Sequence, residues 1–298
     1  MIHDGLVVVD KPAGFTSHDV VAKLRKAFGQ KRVGHAGTLD PDATGVLLVG
    51  LGRVTRLLRF LQETTKTYRG TIAFGVATDT LDAAGAVLER RAMRVTEAEV
   101  VAATCRFVGD LQQVPPMVSA LKVDGRRLHE LARAGEVVER KARAVRVDRF
   151  EVEGFEPGPF PTATVLVDCS SGTCIRSLAA DLGAALGGPA HLASLRRLRV
   201  GSFTVDEAHP LDAVERDPAA AVLRPVDAMR GLERASVGAE AARAVAHGSV
   251  FPSSAFEVSG PGPYAVVDEA GALLAIYEHR GAGLKPAVVL PPAEVAGP

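Results

Sequence analysis

Strand-like runs and helical patterns follow one another in this chain without regular alternation, and that irregularity restricts the fold more than any other feature. Leu6-Val-Val-Val9 reads as a short buried strand, closed by the Lys11-Pro-Ala-Gly14 turn. Ser17 is a suitable N-cap for a helix whose apolar face is Val20, Val21, Leu24 and Phe28. Gly45–Val49 is again strand-like, Val54, Leu57, Leu58 and Leu61 recur at helical spacing, and Thr67–Val76 returns to strand character. Thr96-Glu-Ala-Glu99 is a capping box that opens a helix running to Cys105. Ala144–Glu153 and Thr162–Cys169 alternate like paired antiparallel strands. A helix with Ile175, Leu178, Leu182 and Leu186 on one face ends at Gly187-Gly188. No βαβ rhythm runs through this order, so the expected class is α+β: a mixed, mainly antiparallel sheet with helices.

The segment 112–140, with Pro115-Pro116, Gly125, Gly135 and a short helix expected near Leu128–Ala132, reads as an excursion from the core. Residues 201–233 are acidic and punctuated by proline, as a linker would be. Beyond them, Tyr264–Val267, Leu273–Tyr277 and Ala287–Leu290 suggest a small β-rich second domain. The division expected is 1–232, containing an insertion over 111–146, and 233–298.

The chain has 298 residues with 35 basic and 35 acidic side chains, so its formal net charge is zero. By segment that neutrality disappears. Residues 1–70 hold eleven basic and six acidic residues, and 111–150 hold nine and five. Two Arg-rich stretches of like sign point to a polyanionic partner. No run approaches the ~18 apolar residues of a membrane span, and the N-terminus lacks a basic region before its short apolar run. Three cysteines in an odd count, the nearest pair spaced C-x4-C, fit reduced thiols rather than a disulfide framework or a zinc site. Neither a membrane nor a metal partner is expected, the cytoplasm is the expected compartment, and a monomer is the default.

The densest stretch is Arg32-Val-Gly-His-Ala-Gly-Thr-Leu-Asp-Pro-Asp-Ala-Thr-Gly-Val46. Three glycines permit tight turns and Pro41 stiffens the step after Asp40. A carboxylate held in such a loop suits a fixed nucleophile or base, although an Asx-turn or helix cap would also place an aspartate there. A phosphate-binding loop is excluded, because no Gly-Lys-Ser/Thr follows.

Six segments in one order carry the chain beyond single motifs. They are Gly5-Leu-Val-Val-Val-Asp-Lys-Pro-Ala-Gly-Phe-Thr-Ser-His-Asp-Val20, Gly34-His-Ala-Gly-Thr-Leu-Asp-Pro-Asp-Ala-Thr-Gly45, Lys66-Thr-Tyr-Arg69, Gln113-Val-Pro-Pro-Met-Val-Ser-Ala-Leu-Lys122, Cys169-Ser-Ser-Gly-Thr-Cys-Ile-Arg-Ser-Leu178 and Leu195-Arg-Arg-Leu198. Together they closely resemble the bacterial tRNA pseudouridine-55 synthases, the TruB family of pseudouridine synthases, over about the first 200 residues.

The resemblance implies isomerisation of uridine 55 in the T-loop of tRNA to pseudouridine, by base flipping, with no cofactor. It implies Asp40 as the catalytic carboxylate, Arg176 as the cation that holds it ionised and oriented, and Tyr68 as the ring that stacks on the target base. Tyr68 alternates with a plain core role on its strand. His35 matches the residue that fills the gap left by the flipped uridine, and Leu195 an apolar wall of the base pocket. Lys11 belongs to the first motif, where it either supports the Asp40 loop or contacts RNA. Lys122, Arg126, Arg127, Arg133, Lys141 and Arg143 fall in the family's insertion over the T-arm and are the candidate phosphate contacts. The C-terminal segment resembles a PUA-type RNA-binding domain.

Four positions depart from the family pattern. Cys174 replaces a tyrosine at the pocket wall, and Asp42 replaces an apolar residue after Asp-Pro. Val118 and His129 stand where larger aromatics are common. A second carboxylate facing the pocket would raise the pKa of Asp40, so Asp42 is expected to point outward. Cys174 and Asp42 sustain the rival reading of an RNA-binding or tRNA-folding protein without the activity. A third reading is a synthase acting on another RNA.

Overall fold

The computed structural model describes residues 3–117, 122–123, 126–127, 136 and 138–290. Its centre is one large sheet. In spatial order it runs from the two-residue strand His209–Pro210 through β1 (Gly5–Lys11), β3 (Thr44–Leu51), β12 (Ala190–Val200), β4 (Lys66–Phe74), β11 (Thr162–Cys169) and β10 (Arg143–Glu156) to β7 (Gly109–Gln113). The short β2 (Val33–His35) adds to β3. Pairing is antiparallel except where β3 meets β12 and where His209–Pro210 meets β1. The α+β class with a mainly antiparallel sheet is therefore the one observed.

Burial explains the two kinds of strand pattern. In β1 and β3 the apolar residues Leu6–Val9 and Val46–Val49 are all buried, at 1% exposure or less, so these strands read as continuous apolar runs. β11 instead turns Ala163, Val165, Val167 and Cys169 inward and alternates them with the less buried Thr162, Thr164, Leu166 and Asp168. Helix α1 (Ser17–Ala27) covers β1 and β3 with Val20, Val21 and Leu24. Helices α3 (Glu97–Thr104) and α4 (Ile175–Ala185) cover the other half of the sheet around Phe74, Phe150 and Val165. Between β3 and β4 the helical spacing resolves into a 3-10 turn, Gly52–Arg56, and a single-turn α2 (Leu58–Gln62).

Two expectations are corrected. Ser17 is not the cap of α1. Thr16 is, with its hydroxyl accepting from Asp19 N and Asp19 completing the box. Ser17, one residue inside the helix, is buried and bonded to Leu39 instead, as described below. Nor is 201–233 a linker. His209–Pro210 and Val222–Leu223 both pair with β1, while Leu211, Val214 and Ala221 are buried against it. The acidic, proline-rich composition came from the exposed sides of short elements packed on the sheet edge.

The most consequential element the sequence patterns missed is β12, a long central strand. Arg196, Arg197 and Arg199 break its apolar alternation, which is why it did not read as one. The hairpin β5 (Val76–Thr78)–β6 (Val87–Arg90) was missed too.

A second sheet orders Glu233–Ser236, Tyr264–Val267, Leu273–Arg280, Gly283–Val289 and Phe251–Pro252. It is β-rich as expected and adds two strands and the helix Ala239–Ala246 to the three strands read from sequence. One apolar cluster runs through both sheets, joining Leu57, Phe60 and Leu61 to Ala265, Ile276 and Val288. Arg56 Nη1 and Arg59 Nη2 donate to the carbonyls of Val289 and Ala287 across that contact.

Candidate active site

The loop between β2 and β3 is gripped from behind before any side chain faces outward. Ser17 Oγ accepts from Leu39 N at 2.9 Å and donates to Leu39 O at 3.2 Å, fixing the residue before Asp40 from both sides. Lys11, on β1, is fully buried, and its amine donates to the carbonyls of Pro41 (2.8 Å), Phe15 (2.6 Å) and Pro12 (2.9 Å). Arg197, 1% exposed, donates from Nε to Val46 O at 2.7 Å, from Nη1 to Thr38 O at 3.3 Å and from Nη2 to Gly37 O at 3.2 Å. Gly45 is what lets β12 come this close. It has φ +103°, and a Cβ there would lie 2.1 Å from the Arg197 carbonyl oxygen.

So anchored, the loop presents Asp40 to Arg176, which projects from the first turn of α4. Arg176 Nε lies 3.0 Å from Asp40 Oδ2 and Nη2 donates to Oδ1 at 3.3 Å, a two-pronged contact. The same guanidinium donates from Nη1 to Thr80 O at 2.9 Å and lies 3.4 Å from Asp82 Oδ2. Arg176 is thus buried between two carboxylates. Asp82 is itself held by Thr80 Oγ1 and Ala84 N, in the loop of the β5–β6 hairpin.

Arg176 was expected to hold Asp40 ionised, yet the Asp40 pKa lies above the ordinary carboxylate value. Although 42% of the side chain meets solvent, the crowding of its carboxyl by the surrounding walls is the largest cause, and the Arg176 charge opposes it. Asp82 and Asp42 push further up, and Lys11 pulls down. Asp42 is exposed, as anticipated, and is the smallest of these influences. An aspartate raised this way combines basicity with a fixed orientation, which suits attack on carbon or abstraction of a proton.

Tyr68 and Leu195 pack in the same apolar cluster as Leu39 and Ala43, beside the loop. Tyr68 is 8% exposed, and burial raises its phenol pKa while the Arg197 charge and hydrogen bond oppose the rise. His35 ends β2 and meets His18 edge to face, with centroids 5.4 Å apart; burial and then the His18 charge lower its pKa. Cys174 immediately precedes α4, with no side-chain cap bond. For Lys11, the three carbonyls occupying its buried amine match the loop-supporting expectation rather than RNA contact.

The insertion leaves the sheet at β7 and re-enters at β10, where Arg143 pairs with Gln113. Within it, β8 (Lys122–Val123) and β9 (Arg126–Arg127) form a two-rung hairpin, and exposed Arg126 pairs with Glu136 at 3.0 Å. Lys141 and Arg143 are exposed. Arg133, Val118, His129 and the helix expected near Leu128–Ala132 lie outside the described residues. The basic surplus of residues 1–70 does not form one outer face. Lys11 and Lys66 are buried, Arg56 and Arg59 hold the second sheet, and Lys23, Arg53 and Arg69 pair with Glu215, Asp4 and Glu153.

Asp82 and Arg197 are the site residues that sequence reasoning missed. The signal for Arg197 was present in Leu195-Arg-Arg-Leu198, but only a strand assignment there would have turned it toward the loop.

The same fold is found in solved structures. One is a chain in a structure of an H/ACA RNP bound to a substrate RNA containing 2′-deoxyuridine, with TM-score 0.75 and 23% identity over 98% of this chain and 87% of that one. Another occurs in a Cbf5–Nop10–Gar1 complex, with TM-score 0.73 and 25% identity over 96% and 85%. The family model for the TruB family pseudouridylate synthase N-terminal domain matches residues 25–175. A model for the tRNA pseudouridylate synthase B C-terminal domain matches 176–230, and one for the tRNA pseudouridine synthase II C terminus matches 232–291. The tRNA pseudouridine synthase B of Thermobifida fusca (strain YX) is 49% identical over 96% of this chain and 98% of its own length. That of Rhodococcus jostii (strain RHA1) is 45% identical over 98% and 96%. The class is therefore pseudouridine synthase, an isomerase. Within it, the chain belongs to the TruB family of pseudouridylate synthases.

Proposed function

We propose that this enzyme converts uridine 55 in the T-loop of tRNA to pseudouridine, with Asp40 as its catalytic carboxylate. The observation that carries the reading is the two-pronged Arg176–Asp40 contact on a loop fixed from behind by Lys11, Ser17 and Arg197. The similarity to enzymes named tRNA pseudouridine synthase B supports tRNA as the substrate. The reaction breaks the C1′–N1 bond, forms C1′–C5, releases the C5 hydrogen as a proton and returns a proton to N1. Atoms and electrons balance within the nucleotide, so no co-substrate is called for.

In this reading the uridine leaves the stack, at a cost of a few kcal/mol, and His35 takes its place. Tyr68 and Leu195 wall the base pocket, and Cys174 borders it without a phenol. Lys122, Arg126, Arg127, Arg133, Lys141 and Arg143 approach the T-arm phosphates. Residues 1–232 form the catalytic unit and 233–298 a PUA-like unit, and the enzyme acts as a monomer in the cytoplasm. The test is chemical mapping of pseudouridine in unmodified tRNA after incubation with wild type and Asp40→Asn. The expected result is no pseudouridine at position 55 with the variant while tRNA affinity holds within about threefold, since the change removes a reacting group rather than a phosphate contact. Full activity in the variant would overturn the reading.

A further inference from the structure

The segment Gln113-Val-Pro-Pro-Met117 has no part in the chemistry above, yet its first residue reaches the active-site helix. From the arrangement around α4 we infer that Gln113 is a positioning residue for the Asp40–Arg176 pair, acting through the backbone of Cys174.

Helix α4 begins without a side-chain cap of its own. The Gln113 amide supplies the missing restraint from the end of β7. Its Nε2 donates to Cys174 O at 3.0 Å and its Oε1 accepts from Cys174 N at 2.7 Å. One planar amide therefore satisfies both polar groups of a single peptide position, as a neighbouring strand would. Gln113 is itself 6% exposed, and its backbone is paired with Arg143 at the first rung of β10. Ser177 Oγ donates to Val114 O at 3.4 Å, a second tie from the same stretch to the first turn of α4. Arg176 lies two residues after the clamped position and splits its guanidinium among Asp40, Thr80 O and Asp82. A fork shared among three acceptors tolerates little displacement of its helix. A shift of about 1 Å in a positioned group is enough for roughly a hundredfold loss of rate.

The inference rests on the proposed role of the Asp40–Arg176 pair, and the test separates the two. Asp40 is faced by Arg176 from α4, Asp82 from the β5–β6 hairpin, Lys11 from β1, Tyr68 from β4 and Asp42 from its own loop. Loosening the Arg176 contact favours the protonated carboxyl, so the acid limb of the single-turnover pH–rate profile moves to higher pH. The experiment measures that profile, T-arm RNA affinity and thermal melting for wild type, Arg176→Lys, Gln113→Met and Gln113→Asn. Both Gln113 variants are uncharged, so neither alters the field at Asp40 directly; if Gln113→Met does not fold, Gln113→Asn decides. Expected for the Gln113 variants are a tenfold to hundredfold slower conversion on the order of that positional loss, an acid limb displaced as in Arg176→Lys, and unchanged RNA affinity. A limb that moves in Arg176→Lys but not in the Gln113 variants overturns the inference, even if melting falls. A limb that stays fixed in Arg176→Lys overturns the underlying assignment of the pair.

Discussion

Replacing Arg197 by methionine tests whether the loop, rather than Asp40 alone, is the built part of this site. The side chain is 1% exposed and makes three donations to loop and β3 carbonyls with no carboxylate partner among the described residues. Hydrogen bonds from a charged donor contribute about 1.5–3 kcal/mol each, so the three carbonyls lose roughly 5–9 kcal/mol of pairing. Against this stands relief of several kcal/mol from no longer burying an uncompensated cation. The balance is a net destabilisation of about 2–4 kcal/mol, which lowers the melting midpoint of a chain this size by roughly 5 °C. The larger effect falls on rate. Gly37 and Thr38 lose the guanidinium that holds their carbonyls, and Asp40, two residues on, loses its register with Arg176. Single-turnover release of the uridine C5 hydrogen, followed with isotopically labelled tRNA, is expected to slow about a hundredfold. RNA affinity should change little, because Arg197 is buried. Arg197→Lys, which cannot span three divergent carbonyls, should recover only a small part. A methionine variant that melts within 1 °C of wild type and turns over within twofold of it would refute the argument.

Three further outcomes follow from the same geometry. Asp82→Asn leaves Arg176 paired with Asp40 but removes the second carboxylate that orients it, so single-turnover rate is expected to fall roughly tenfold or more, while the Asp40 pKa falls because Asp82 raises it. A rate within twofold of wild type would show that Asp82 does not orient the fork. Lys66 is 6% exposed, donates to Gln62 O and Thr64 O, and burial lowers its pKa from 10.5 to about 8. The folded state then holds fewer protons than the unfolded one between pH 8 and 10.5. The burial penalty of ~3 kcal/mol, present in full below pH 8, is relieved across that window. Wild-type stability relative to Lys66→Met should accordingly rise from pH 8 to 10, and a flat difference in melting midpoints would contradict it. A chain ending at residue 232 uncovers Leu57, Phe60 and Leu61, at about 25 cal/mol per Å² of apolar surface. It should melt more than 5 °C below the full chain, and an unchanged midpoint would show the two sheets to be independent.

How much of this could be read from the sequence follows from where each signal sits. Strands buried on both faces, such as β1 and β3, announce themselves by composition, and the loop around Asp40 by its glycines and Pro41. The Arg176–Asp40 contact links residues 136 positions apart. It was reached through the resemblance of two separate segments and not through any local pattern. What stayed hidden was polar structure in the interior. β12 carries three arginines and so did not register as a central strand, although it brings Arg197 under the loop. Ser17 had the right chemistry for a helix cap, but Thr16 took that role with Asp19. The serine was left to bind Leu39, a contact that no helix signal encodes. The segment 201–233 misled for the opposite reason. Its buried residues are few and scattered, and the exposed acidic ones dominated its composition.

The distribution of charge makes one physical point about how such a site is assembled. Lys11, Lys66 and Arg197 are buried close to the loop, and among the described residues each is solvated by backbone carbonyls rather than by a carboxylate. A carboxylate partner would have stabilised each cation more cheaply in isolation. Placed beside Asp40, however, it would have pushed a pKa already raised by burial still higher, as Asp82 and Asp42 do. Carbonyl dipoles hold the cations without adding a negative charge, and in doing so they fix the very backbone that carries the aspartate. Lys11 lowers the Asp40 pKa while bonded to Pro41 O, the next residue in the loop. Part of the basic surplus of the first 70 residues therefore acts from inside the fold. There it sets both the position and the ionisation of one carboxylate, and the outer surface retains less of it to offer RNA than the segment sum suggested.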